Sequence, residues 1–125
     1  LLLRMNRLAD AEVLMRRALS IDEISFPGGH PIVARDLTNL AGLLRDTGRP
    51  IEAEPLMYRA LDLLLQFTQN AGQSHPIIRD SLCNYRLLLS ELDFTETEVR
   101  NRINSLIEGY GMKMEDLDIQ EERNY

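Results

Sequence analysis

Residues 49–61 read RPIEAEPLMYRAL, and residues 7–19 read RLADAEVLMRRAL. Set 42 positions apart, the two stretches agree at Arg7/Arg49, Ala11/Ala53, Glu12/Glu54, Leu14/Leu56, Met15/Met57, Arg17/Arg59, Ala18/Ala60 and Leu19/Leu61. That is eight of thirteen positions, where chance gives about one at average residue usage. A second pair lies outward from the first. Residues 30–44 read HPIVARDLTNLAGLL and residues 75–89 read HPIIRDSLCNYRLLL, with seven of fifteen identical at a shift of 45. The shared residues include His30-Pro31/His75-Pro76 and Asn39/Asn84. The three extra residues fall before His75, in a loop, where insertions cost little. A unit that recurs at this period is the mark of a stacked repeat protein.

Each unit reads as two helices. Val33, Leu37, Leu40, Ala41 and Leu44 keep the spacing of one buried helical stripe. Ala53, Leu56, Met57, Ala60, Leu61 and Leu64 do the same in the partner. Gly48 suits the helix end between them, and Pro31 and Pro76 suit helix starts. Ala53 and Ala60 are small and share a face, so the two helices can approach closely. The expected order is the end of a truncated repeat over 1–5, a second helix over 8–26, a full pair over 31–47 and 50–69, and a first helix over 76–92. A repeat array over 1–92 is followed by a diverged capping helix within 93–111, which opens on the capping box Thr95-x-x-Glu98 and carries Val99, Ile103, Leu106, Ile107 and Tyr110. Residues 112–125 read as an acidic tail whose Met114 and Leu117 reach the core. The fold class is all-α, a right-handed α-solenoid of antiparallel helix pairs.

Composition narrows the function. The 125 residues carry 14 basic and 20 acidic side chains, a net charge of −6. All of that excess sits in residues 91–125, which hold ten acidic residues against Arg100, Arg102, Lys113 and Arg123. An acidic chain lacks the basic surface that nucleic acid requires. No apolar run approaches the roughly 20 residues of a membrane span, so neither nucleic acid nor a membrane is an expected partner. The chain opens on Leu1-Leu2-Leu3 and reads as cut from a longer protein. The single cysteine, Cys83, excludes an internal disulfide and a Cys-rich zinc site. It reads as a small half-buried residue. His30 and His75 recur at one repeat position, so they read as loop caps rather than metal ligands. Glu12/Arg16 and Glu98/Arg102 read as surface i, i+4 pairs. No phosphate loop, nucleophile elbow or HExxH helix occurs. The expectation is no catalytic residue, no metal and no cofactor.

The segments AEPLMYRAL after GRPIE, and then HPIIRDSL, resemble the long tetratricopeptide repeat of kinesin light chains and their bacterial relatives. The matching parts are Ala53-Glu54-Pro55-Leu56 with Arg59-Ala60-Leu61, Gly29-His30-Pro31, and Thr38-Asn39-Leu40-Ala41. The likeness covers roughly residues 1–92; Cys83 and Arg86 depart from it. It implies a cytoplasmic, bacterial, non-catalytic module that binds a protein or peptide in a concave groove. It also implies that Asn39 and Asn84 clamp the ligand backbone. By helical spacing their neighbours on that face are Arg35, Thr38 and Arg45, and then Asp80, Cys83 and Leu87. Arg35 and Arg45 suit an acidic ligand. The competing reading of the two asparagines is amide contacts that hold adjacent helices together. Competing readings of the whole chain are a structural spacer that self-associates through its exposed N-terminal end, and a regulatory segment of a larger multidomain signalling protein.

Overall fold

The computed structural model describes residues 2–73 and 75–117. Leu1, Ser74 and residues 118–125, which include most of the acidic tail, lie outside the described part. Within it the chain is all helical: α1 Leu2–Ser25, α2 Pro31–Asp46, α3 Pro50–Ala71, α4 Ile78–Glu91, α5 Glu96–Glu108, and a short 3-10 turn at Met114–Leu117. Each helix packs on the next in chain order. The result is an α-solenoid of stacked helix pairs.

Two pairs of alanines set the central contact. Ala34 and Ala41 lie seven residues apart on α2, and Ala53 and Ala60 lie seven apart on α3; all four are fully buried. Ala41 and Ala53 share one apolar cluster, with Leu40, Leu44, Met57 and Leu88. Ala34 and Ala60 share the other, with Leu37, Leu61, Leu64, Leu65 and Tyr85. Small side chains at these points bring the two backbones close, while the leucines between them interdigitate. α4 and α5 extend the second cluster through Ile78, Leu82, Val99, Ile103 and Ile107. Leu117 of the 3-10 turn is buried in it and Met114 packs against it.

The ends of the helices follow local chemistry. α2 stops where Gly48 takes a left-handed φ of +78°. There Arg49 N–H reaches Leu44 C=O at 2.7 Å and Gly48 N–H reaches Arg45 C=O at 3.1 Å, the bond pair of a Schellman end. The same pattern recurs one unit later, where Asp93 stands at φ +67° and Phe94 N–H bonds Leu89 C=O. At α5 the Thr95 hydroxyl accepts from Glu98 N–H, and the Glu98 carboxylate accepts from Thr95 N–H, both at 3.2 Å. His30 Nδ1 accepts from Ile32 N–H at 3.1 Å, and His75 Nδ1 from Ile77 N–H at 3.2 Å. The repeated histidine is thus a capping group at both loops. Its ring also meets an aromatic, Phe26 for His30 and Phe67 for His75.

Two boundaries differ from the sequence reading. α4 starts at Ile78, and Pro76 and Ile77 form a turn ahead of it. More important, the expected break between residues 5 and 8 is absent, and α1 runs unbroken from Leu2 to Ser25. That span contains no glycine or proline, and Asn6 occupies the position of Gly48 in the next unit. Residues 3–7 are all exposed. Among the described residues no helix lies beside them, so no packing rewards a turn there.

Ala18 and Ala60 are the same repeat position, but Ala18 is exposed and Ala60 fully buried. Ala60→Leu is therefore expected to lower the free energy of unfolding by about 2–3 kcal/mol through overpacking. Ala18→Leu should change it by less than about 0.5 kcal/mol. Urea unfolding followed by circular dichroism checks both.

Candidate peptide-binding surface

α2 buries Val33, Ala34, Leu37, Leu40, Ala41 and Leu44. Helical geometry then turns Arg35, Asn39, Gly42 and Asp46 to the opposite side. α4 buries Ile78, Ser81, Leu82, Tyr85, Leu88 and Leu89, and leaves Asp80, Cys83, Leu87 and Glu91 exposed. A bidentate ion pair joins these two surfaces near their C-terminal ends. Arg45 Nε donates to both carboxylate oxygens of Glu91, at 2.9 and 2.8 Å. The pair holds Arg45 more firmly protonated than a free arginine, chiefly through the hydrogen bonds to Glu91.

The sequence-nominated residues separate into three groups. Arg35, Asn39, Asp80, Cys83 and Leu87 are exposed, and Leu87 presents 53% of its surface. Asn39 and Asn84 occupy matching positions on α2 and α4. Neither amide makes a hydrogen bond among the described residues, so the reading in which they tie helices together finds no support there. Each keeps its donors and its acceptor for other partners. Thr38 and Arg45 are already engaged. The Thr38 hydroxyl donates to Ala34 C=O at 2.8 Å, and Arg45 is held by Glu91. Arg45 is thus a brace between repeats and not the free cation for an acidic ligand that spacing suggested. Cys83, expected to be half-buried, is exposed, because Leu82 and Tyr85 take the core side of its helical turn.

Gly42 lies in the middle of α2 on the same surface. A Cβ built there meets nothing within 4 Å, so neither packing nor backbone conformation requires a glycine. In the next unit its position is taken by Leu87.

Behind the surface, polar ties join successive units. Glu54 accepts the Tyr85 hydroxyl at 2.7 Å and lies 3.6 Å from the Arg102 guanidinium, which stacks 4.9 Å over Phe94. Burial, then the Glu54 bond, push the Tyr85 hydroxyl far above the usual phenol range. Glu12, the same repeat position one unit earlier, binds Arg49 and Arg16. The Arg49 hydrogen bond, first, and the Arg16 bond hold Glu12 below the ordinary carboxylate range. Arg59 reaches Glu23 at 2.7 Å. The repeat made Glu12 and Glu54 visible in the sequence, but their cross-repeat partners lie 31 to 48 residues away and carry no spacing signal. Arg102 was assigned to Glu98 on i, i+4 spacing. It turns instead to Glu54, because Glu98 is engaged with Thr95.

One acidic contact also escaped the sequence. Asp36 faces Asp22 of α1, and its Oδ2 is buried without a hydrogen-bond partner. Burial, then the hydrogen bond to Asp22 and its charge, raise the Asp36 carboxyl to about 6. Among the described residues no three His, Cys, Asp or Glu side chains gather as metal ligands. No helix there is long and apolar enough to cross a membrane.

The tetratricopeptide repeat family matches residues 1–66, more than half of the chain. The chain belongs to this family. No curated protein matches it. The family's members generally bind proteins or peptides and are typically non-catalytic.

Two predictions come from this surface. Between about pH 4 and 6 the folded chain retains a proton on Asp36 that the unfolded chain has lost, so stability falls as pH rises through that window. Asp36→Asn should remove this slope and stabilise the protein at pH 7 by about 1–2 kcal/mol, as read from melting temperatures between pH 4.5 and 7. Gly42→Ala should add about 0.5–1 kcal/mol by removing helix-interior glycine, measured by urea unfolding.

Proposed function

We propose that this tetratricopeptide repeat chain is a non-catalytic protein–protein interaction module, and that it takes a peptide or helix of a partner protein in the concave groove, against the exposed faces of α2 and α4. The observation that carries this reading is the pair of matching amides, Asn39 and Asn84, left without hydrogen bonds in a helix stack that otherwise engages Thr38 and Arg45. An amide that both donates and accepts pairs with a peptide group on either side. Two of them on successive units offer repeated contact to an extended backbone. Arg35 takes an acidic side chain of the ligand, and the exposed Leu87 takes an apolar one. Asp80 and Cys83 border the surface. Arg45 and Thr38 hold its shape. The kinesin-light-chain-like motif, the bacterial origin and the cytoplasmic setting belong to the same proposal and rest on the residues quoted above. So does the division into an array over 1–92, a cap over 93–111 and an acidic tail over 112–125.

A second reading is favoured by a different observation. Leu3, Val13, Leu14, Ile21 and Ile24 of α1 expose between 55% and 82% of their surface. This supports a self-associating spacer, or a regulatory segment docked in a larger signalling protein, with contact through the N-terminal end.

Peptide-library selection on the purified chain tests the first reading, with the Asn39→Ala/Asn84→Ala double variant as control. The expected result is peptides that bind the parent at least about tenfold tighter than the variant, a loss of about 1.4 kcal/mol or more. Equal binding to both would remove the two asparagines from the site.

A further inference from the structure

Arg35 and Asp80 hold the same repeat position, 45 residues apart, and carry opposite charge. Both are exposed. Neither makes an ion pair or a side-chain hydrogen bond among the described residues. Each stands one helical turn ahead of an asparagine, Arg35 before Asn39 and Asp80 before Asn84. Charge and amide therefore share a face on each helix.

The two helices run parallel. Val33 and Leu37, from the first half of α2, lie in the cluster that holds Ile78 and Leu82, from the first half of α4. Leu40 and Leu44 lie in the cluster that holds Leu88. Arg45 meets Glu91 in the last turn of both. Arg35 and Asp80 thus lie toward one end of the surface, and the Arg45–Glu91 pair, whose charges cancel, lies toward the other. The side of α2 and α4 that carries the asparagines then presents one arginine, Arg35, against two carboxylates, Asp46 and Asp80.

This division selects among ligands. A uniformly acidic peptide gains at Arg35 and is repelled at Asp46 and Asp80. A uniformly basic one is repelled at Arg35. Only a segment of mixed charge is complementary at both matched positions. Packed helix axes lie about 8–10 Å apart, and an extended chain advances about 3.3 Å per residue. An acid over α2 and a base over α4 therefore stand about two to four residues apart in the ligand.

We infer that the groove takes a peptide segment of mixed charge, whose acidic side chain pairs with Arg35 and whose basic side chain pairs with Asp80, while Asn39 and Asn84 hold the backbone. The inference rests on the groove reading proposed above and adds to it the charge pattern of the ligand.

Random-peptide display on the 125-residue chain provides the test, run in parallel on the parent and on the Arg35→Asp/Asp80→Arg variant, which exchanges the two charges. Both sites are exposed and lie outside the apolar clusters, so the circular dichroism spectra should coincide. The expected result is parent binders enriched in one acid and one base at that spacing. One such peptide, and its counterpart with acid and base exchanged, then give the readout by fluorescence anisotropy. The parent should prefer the first and the exchanged variant the second, each at least roughly fivefold. The single variants Arg35→Gln and Asp80→Asn should each weaken the first peptide about two- to fivefold, and they carry the test if the exchanged variant does not fold. Binders that depend on Asn39 and Asn84 but lack the charge pair, or that bind all charge variants equally, would overturn the charge pattern and leave the groove reading standing. The absence of any binder would overturn both.

Discussion

Everything in this stack depends on the closeness of α2 and α3. Their four buried alanines pair in antiparallel order, Ala34 with Ala60 and Ala41 with Ala53, and share clusters accordingly. The alanines let the backbones approach, and the leucines on either side then fill the space without voids. A helix pair alone has no means of covering its outer apolar stripe, so each pair requires a neighbour. α4 and α5 cover one side. On the other side α1 is covered along one side only.

Polar groups supply the register that apolar packing leaves loose. Glu12 and Glu54 each reach forward to an arginine of the next unit, and Arg45 reaches forward to Glu91. These contacts are partly exposed, and their net contribution to stability is modest. Their directional value is larger. The Arg45–Glu91 pair ties α2 to α4, the two helices that carry Asn39 and Asn84. Exposed residues such as Arg35 and engaged ones such as Thr38 and Arg45 share one helix, which is why charge or spacing in the sequence alone does not separate them.

The two asparagines and Gly42 share a property. None is engaged by the fold. A mid-helix glycine with open space above it is a cost of about 0.5–1 kcal/mol relative to alanine, and an amide without partners contributes nothing to packing. Local rules broken without structural compensation concentrate at surfaces that do something else. The Asp22–Asp36 contact is a different kind of exception. It sits at the α1/α2 seam, where the next unit places Ser81 at the Asp36 position, also buried and without a partner. The seam tolerates a small polar group at this point but does not satisfy it, and with a carboxyl there the stack becomes sensitive to pH.

The sequence by itself determined the repeat, the helical class, the alanine seam, the capping box, the histidine caps and the face on which Asn39 and Asn84 lie. All of these are local or periodic, and helical spacing within one or two turns carries them. Only the tertiary structure decided which polar side chains are engaged. Arg45 belongs to Glu91, Arg102 to Glu54, and Asp36 to Asp22, across 14 to 48 residues of sequence that impose no spacing rule. It also decided that α1 runs straight past Asn6. A turn at that position requires a helix to pack against, and a neighbour in space is not written in the local sequence.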